Sequence, residues 1–169
     1  MRKLWAIILG GAAAGFLDHM SALATFLPQG ADPMRLHQYL ASGVLGEAAF
    51  AGGWATALLG LCVHFTLTTL MAGIFVATSQ RFPVLLRHPW PAGLSYGVLI
   101  YFVMNYVAVP LSAAPNWKPA HGWAIVGGLL GHALYVGVPI AAIARALLAD
   151  VSTAAPTGAR QQQLNPSGT

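Results

Sequence analysis

The sequence predicts an all-α integral membrane protein: a four-transmembrane-helix bundle with a short extra helix between the first and second spans. Three observations carry this. Of the 169 residues, 57% are hydrophobic and only 7% are charged, against about 25% charged in a soluble domain. The apolar residues gather in four runs, each longer than the ~20 residues a helix needs to cross a hydrocarbon core. All five tryptophans (Trp5, Trp54, Trp90, Trp117 and Trp123) fall at the ends of those runs, as an aromatic belt at a membrane surface requires.

The first span is expected over residues 4–27. Its start also resembles a secretory leader, because Arg2 and Lys3 precede an apolar stretch and Ala12-Ala13-Ala14 offers a cleavage site. Cleavage there would discard half of a full-length span, so retention is the expectation. The second span is expected over 54–79, the third over 91–111 and the fourth over 123–148, with Arg145 the only formal charge in these three runs. Glycine and proline inside them are compatible with membrane helices. Arg2, Lys3, Arg81, Arg87, Arg145 and Arg160 lie on one side of this layout, and only Arg35 and Lys118 on the other. The six-to-two bias places both termini in the cytoplasm.

Between the first two spans, "ADPMRLHQYLASGVLGEAAFAGG" predicts a helix over about 33–51. Asp32 suits the N-cap and Pro33 the first helical position. Leu36, Leu40 and Val44 recur every fourth residue, and Gly52-Gly53 can end the helix. It is too short to span easily. It reads as a surface connector over the bundle mouth or, more sharply, as a re-entrant lid with His37 and Glu47 near an entrance. Residues 1–149 then form the transmembrane domain, and 150–169, polar and rich in helix breakers, a disordered cytoplasmic tail.

Small residues mark the packed face of each span. Gly11, Gly15 and His19 share one stripe, with Asp18 on its flank. Thr56, Gly60, His64 and Thr68 form the second stripe, and Gly93, Gly97, Tyr101 and Asn105 the third. Gly128, His132, Tyr135 and Pro139 form the fourth, with Gly127 and Gly131 as a small-xxx-small pair beside it. At 1.5 Å per residue, His19, His64, Asn105 and His132 lie ~12, ~15, ~9 and ~14 Å from the outer ends of their helices. Asp18, His19, His64, Asn105 and His132 are therefore expected in one intramembrane cluster, with Tyr101, Tyr135, His37 and Glu47 as accessories. "GLxxH" occurs at Gly60–His64 and again at Gly128–His132, a faint sign of a duplicated hairpin.

Ionisable groups inside a membrane are functional candidates. The cluster suits passage of a proton, metal ion or small solute, because imidazole titrates near neutrality and Asp with His can ligate Zn, Cu or Ni. No dense metal motif accompanies it. A second reading is a bis-His haem b site on His64 and His132; without it, no cofactor is expected. A third is a scaffold whose glycine-lined faces bind other membrane proteins or form a homo-oligomer. Enzyme chemistry has little support, since no serine sits in a nucleophile elbow and no glycine loop cradles phosphate. Cys62 is the only cysteine, so no intrachain disulfide forms. The scattered basic residues exclude a nucleic-acid face despite the net charge of +4.

The stretches "AGFLDHMSA" near the start, "LHQYLASGVLGEAAFAGGWATALLGLCVHF" at 36–65 and "YFVMNYVAVPLSAAP" at 101–115 resemble a group of small bacterial inner-membrane proteins of unknown function. The resemblance covers most of residues 10–145. It implies the same four-span layout and a bacterial inner-membrane location, and it brings no activity, cofactor or site residue with it.

Overall fold

The computed structural model describes residues 1–115, 118 and 121–149. The expected tail at 150–169 and Trp117 lie outside the described residues. Among those described there is no strand, and four helices are long and apolar enough to cross a membrane. Helix α1 is Arg2–Phe26, α2 is Pro33–Leu45, α3 is Gly53–Arg81 and the single turn α4 is Val84–Arg87. The last two long helices are α5, Pro89–Leu111, and α6, Trp123–Leu148.

Glycines set how closely these helices approach. Helix α1 runs antiparallel to α3. A side chain at Gly11 would strike Thr69 backbone at 2.5 Å, and one at Gly15 would strike the Phe65 ring at 2.7 Å. Gly10 lies over Ala72 of α3 and Ile140 of α6, so α1 sits between those two helices. Helix α5 then packs on the far side of α6: Gly93 lies against Gly137, Gly97 against the His132 carbonyl, and Gly128 against the Tyr101 ring. Backbone-to-backbone contact of this kind needs small residues, because packing rather than hydrophobic expulsion holds helices together in an apolar solvent. Gly127 and Gly131, by contrast, meet nothing within 4 Å. That pair faces away from the other helices, and the fourth packed stripe runs through Gly128 and Gly137 instead.

The departure on α6 has a local cause. Helices α5 and α6 share the pattern YVxVP, in Tyr106–Leu111 "YVAVPL" and Tyr135–Ile140 "YVGVPI". Proline lacks an N–H and cannot donate to the carbonyl four residues back. Both helices answer in the same register. The residue before the proline bonds five residues back, Val109 to Met104 and Val138 to Ala133, giving π turns over Met104–Ala108 and His132–Gly137. An i→i+5 turn adds a residue to the helical repeat and rotates everything beyond it. Tyr135, expected on the packed stripe, is consequently 41% exposed, while Val136 and Ile140 are buried.

Helix α2 also differs from its expected form. The Asp32 carboxylate accepts the Met34 N–H at 2.9 Å, as an N-cap should. The α-helix ends at Leu45, and Gly46, at φ +60°, turns the chain into 3₁₀ geometry over Gly46–Ala51. The stripe of Leu36, Leu40 and Val44 that marked the helix is not the face that packs on α3, and Val44 is 62% exposed. Gln38, Ala41 and Ser42 are buried instead. Small residues let α2 lie directly on α3, where the His37 carbonyl covers Gly60. Gln38 is anchored by its amide, which donates to the Gly53 carbonyl at 3.0 Å. Gly60 is seven residues into α3, about 10 Å along its axis.

The apolar core fills the end of the bundle that carries Met1 and Leu148. Ala6, Ala72, Phe75, Ile140, Ala144 and Leu148 are all buried there. The Tyr96 hydroxyl ties α5 to α3 by donating to the Met71 carbonyl at 2.7 Å, and its ring lies 5.2 Å from that of Phe75.

Candidate functional site

On the α2 side of Tyr96 the helices part. A cavity of about 430 Å³ lies between α3 and α5, with α1 and α6 contributing side chains and α2 at its rim. Its walls are mostly aliphatic, from residues such as Leu67, Met71, Ile100 and Val136. Its polar side chains include Asp18, His64, Asn105 and His132. Four of the five residues expected in the central cluster therefore share this one space. It lies within the roughly 300–1,000 Å³ range of small-molecule sites. Leu40 and Val44 of α2 wall it too, which is where the apolar stripe of that helix goes.

The hydrogen bonds fix the tautomer of each imidazole in its neutral form and the orientation of the amide. His64 Nε2 donates to the Gly15 carbonyl at 2.9 Å. A carbonyl can only accept, so the neutral ring carries its proton on Nε2 and leaves Nδ1 as a lone pair. Gly15 allows this contact because no side chain intervenes. His132 Nδ1 donates to the Gly128 carbonyl at 2.9 Å, leaving Nε2 as its lone pair. Asn105 Nδ2 donates to the Tyr101 carbonyl at 2.9 Å, so Oδ1 stays an acceptor. The Asp18 carboxylate has no hydrogen-bond or ion-pair partner among the described residues. It is also the only acidic residue within the four long helices.

The fifth member, His19, lies beside the cavity and joins a different group. Its Nε2 is 3.3 Å from Nε2 of His37, and its ring centroid is 4.9 Å from that of His37 and 5.8 Å from that of His64. His37 Nδ1 donates to the Pro33 carbonyl, which makes His37 Nε2 the acceptor and His19 Nε2 the donor. His37, His19 and His64 thus form a chain of imidazoles from α2 across α1 to the cavity wall. Sequence spacing suggested His37 as an accessory near an entrance; its place beside His19 follows from how α2 folds back.

Of the other accessories, Tyr101 is 2% exposed and packs edge-on against His132 at 5.5 Å. Its hydroxyl has no hydrogen-bond partner among the described residues. Tyr135 faces outward, for the reason given above, and Glu47 is exposed on the 3₁₀ turn away from the cavity. Thr68, on the small-residue stripe of the second span, and Ser112, which the spacing did not mark, also line the cavity. Both hydroxyls donate to backbone carbonyls, of Phe65 at 3.1 Å and Val109 at 2.7 Å.

Among the described residues, no group of three or more His, Cys, Asp or Glu side chains is arranged to hold a metal ion. The haem pairing of His64 with His132 meets an obstacle as well, since His64 Nε2 is occupied by the Gly15 carbonyl. No family model, curated protein or solved structure matches the chain.

Proposed function

We propose that this chain is a multi-pass protein of the bacterial inner membrane, with four spans and both termini in the cytoplasm. Its role is to pass a proton or a small solute through the cavity between α3 and α5. The observation that carries this reading is Asp18. A carboxylate in an apolar setting costs several kcal/mol unless it is paired or hydrated. Here it faces a space large enough for a solute, next to two histidines and an asparagine. The imidazole chain His37–His19–His64 supplies proton carriers from the α2 side.

Proteoliposomes with an internal pH-sensitive dye and an imposed potential test this reading. Wild-type protein is expected to collapse the proton gradient or to couple it to solute uptake, and Asp18→Leu to leave the gradient intact. Wild-type flux no faster than that of empty liposomes, across a panel of solutes, would sink the reading. The second reading is a self-associating scaffold. It is favoured by Gly127 and Gly131, whose open side would let a second copy approach α6 closely.

A further inference from the structure

We infer that the cavity takes an organic ammonium ion with a compact apolar body, held by the Asp18 carboxylate. This rests on the proposed role of the cavity in handling a solute and names the class of that solute.

The argument is an accounting of protons. Six polar side chains line the cavity within the bundle: Asp18, His64, Thr68, Asn105, Ser112 and His132. Five of them already direct an N–H or O–H to a backbone carbonyl, of Gly15, Phe65, Tyr101, Val109 and Gly128. With both rings neutral, what they turn toward a ligand is therefore lone pairs, Nδ1 of His64, Nε2 of His132, Oδ1 of Asn105 and the Thr68 hydroxyl oxygen, while Ser112 Oγ already accepts the Ala114 N–H at 3.1 Å. Asp18 adds two carboxylate oxygens and the only formal charge in the lining. The donors left over are the second N–H of Asn105 and the hydroxyl of Tyr39, which is 46% exposed at the rim. An anion would meet Asp18 with almost nothing to donate to it. A neutral acceptor such as a ketone has the same difficulty. An ammonium group brings up to three donors and the opposite charge.

The remainder of the lining excludes a bare ion. The walls are aliphatic, and about 430 Å³ is the volume of a small organic molecule rather than of a metal ion. No three-ligand arrangement for a metal exists among the described residues. An apolar body filling the space between Leu67, Met71 and Val136 would exclude water from the ammonium–carboxylate pair and strengthen it.

Equilibrium dialysis of the full chain in nanodiscs of zwitterionic lipid tests this. The probes are 2-phenylethylammonium, its neutral isostere 2-phenylethanol and the anion 3-phenylpropionate. The expected result is saturable ammonium binding at least tenfold tighter than that of the alcohol, with no binding of the anion. Asp18→Asn should remove the preference, Asp18→Glu should retain it, and Leu67→Trp, which fills the cavity, should abolish binding of both ligands. Equal affinity for ammonium and alcohol in the wild type would overturn the inference, even if Asp18→Asn failed to assemble. So would ammonium binding unchanged by Asp18→Asn. If ammonium binding fails while Asp18-dependent flux persists in proteoliposomes, the ligand class is wrong and the solute pathway stands. If both fail, both fall.

Discussion

The two halves of the bundle are built from the same helices and solve opposite problems. In the half bearing Met1 and Leu148, alanines at positions 6, 72, 141 and 144 let α1, α3 and α6 close around Phe75 and Ile140, and the space left there, about 510 Å³ between α3, α4 and α5, has no acid in its lining. In the half covered by α2, the same α3 and α5 stand apart around a cavity with Asp18, His64, Asn105 and His132 on its walls. The boundary is the hydrogen bond from Tyr96 to the Met71 carbonyl. Filled volume serves cohesion, because each lost contact in a close-packed region is paid directly in stability. Hollow volume contributes no such contacts. The two halves should therefore respond differently to substitution.

The largest effect is expected from Phe75→Ala in the filled half, about 3–5 kcal/mol of lost stability from a cavity that the neighbouring alanines cannot collapse into. Thermal unfolding in detergent measures it. Gly137→Leu comes next, at about 3 kcal/mol. A β-carbon there lies 2.6 Å from the Gly97 nitrogen, so α5 and α6 must separate, and size-exclusion chromatography should show loss of the monodisperse species. Asp18→Leu, in the hollow half, should reverse the sign and raise stability by about 1–2 kcal/mol, since an acid with no hydrogen-bond partner among the described residues is replaced by a residue the bilayer accepts, while flux is lost. If Asp18→Leu were instead as damaging as Phe75→Ala, the contrast between the halves would fail. Tyr101→Phe should stabilise by about 1 kcal/mol, because it deletes a buried hydroxyl that has no partner among the described residues. The smallest effect is expected from His64→Leu, a loss of about 0.6 kcal/mol for one interhelical hydrogen bond, again read by thermal unfolding.

Much of this contrast was legible in the residues. Runs of apolar residues longer than a bilayer is thick can be read directly, and all four helices long enough to span follow from them. So can the glycine stripes on α1, α3 and α5, because an undistorted helix returns to the same face every three or four residues. That rule brought Asp18, His64, Asn105 and His132 to similar depth. It failed where the helix was not regular. Tyr135 lies beyond the start of the π turn on α6, and the repeated "YVxVP" before each proline was the signal that could have warned of it. On α2 the spacing of Leu36, Leu40 and Val44 marked the helix itself, and Leu40 and Val44 line the cavity, but it did not show that Gln38, Ala41 and Ser42 are the buried face. Hydrophobicity does not tell a helix which side to bury when both sides meet apolar surroundings. Close fit against Gly60 decided it.

The sequence by itself determined that this chain forms long apolar helices, which of their faces are small enough to touch, and that a lone acid and several imidazoles lie deep within them. These properties are local: they depend on the length of an apolar run and on the helical repeat. The tertiary structure alone decided that His37 comes back to His19, that Tyr96 ties α5 to α3 below the Asp18 cavity, and which carbonyls His37, His64 and His132 meet. Those properties depend on which carbonyl of a neighbouring helix each side chain meets, and helix crossing sets that meeting across tens of residues of sequence.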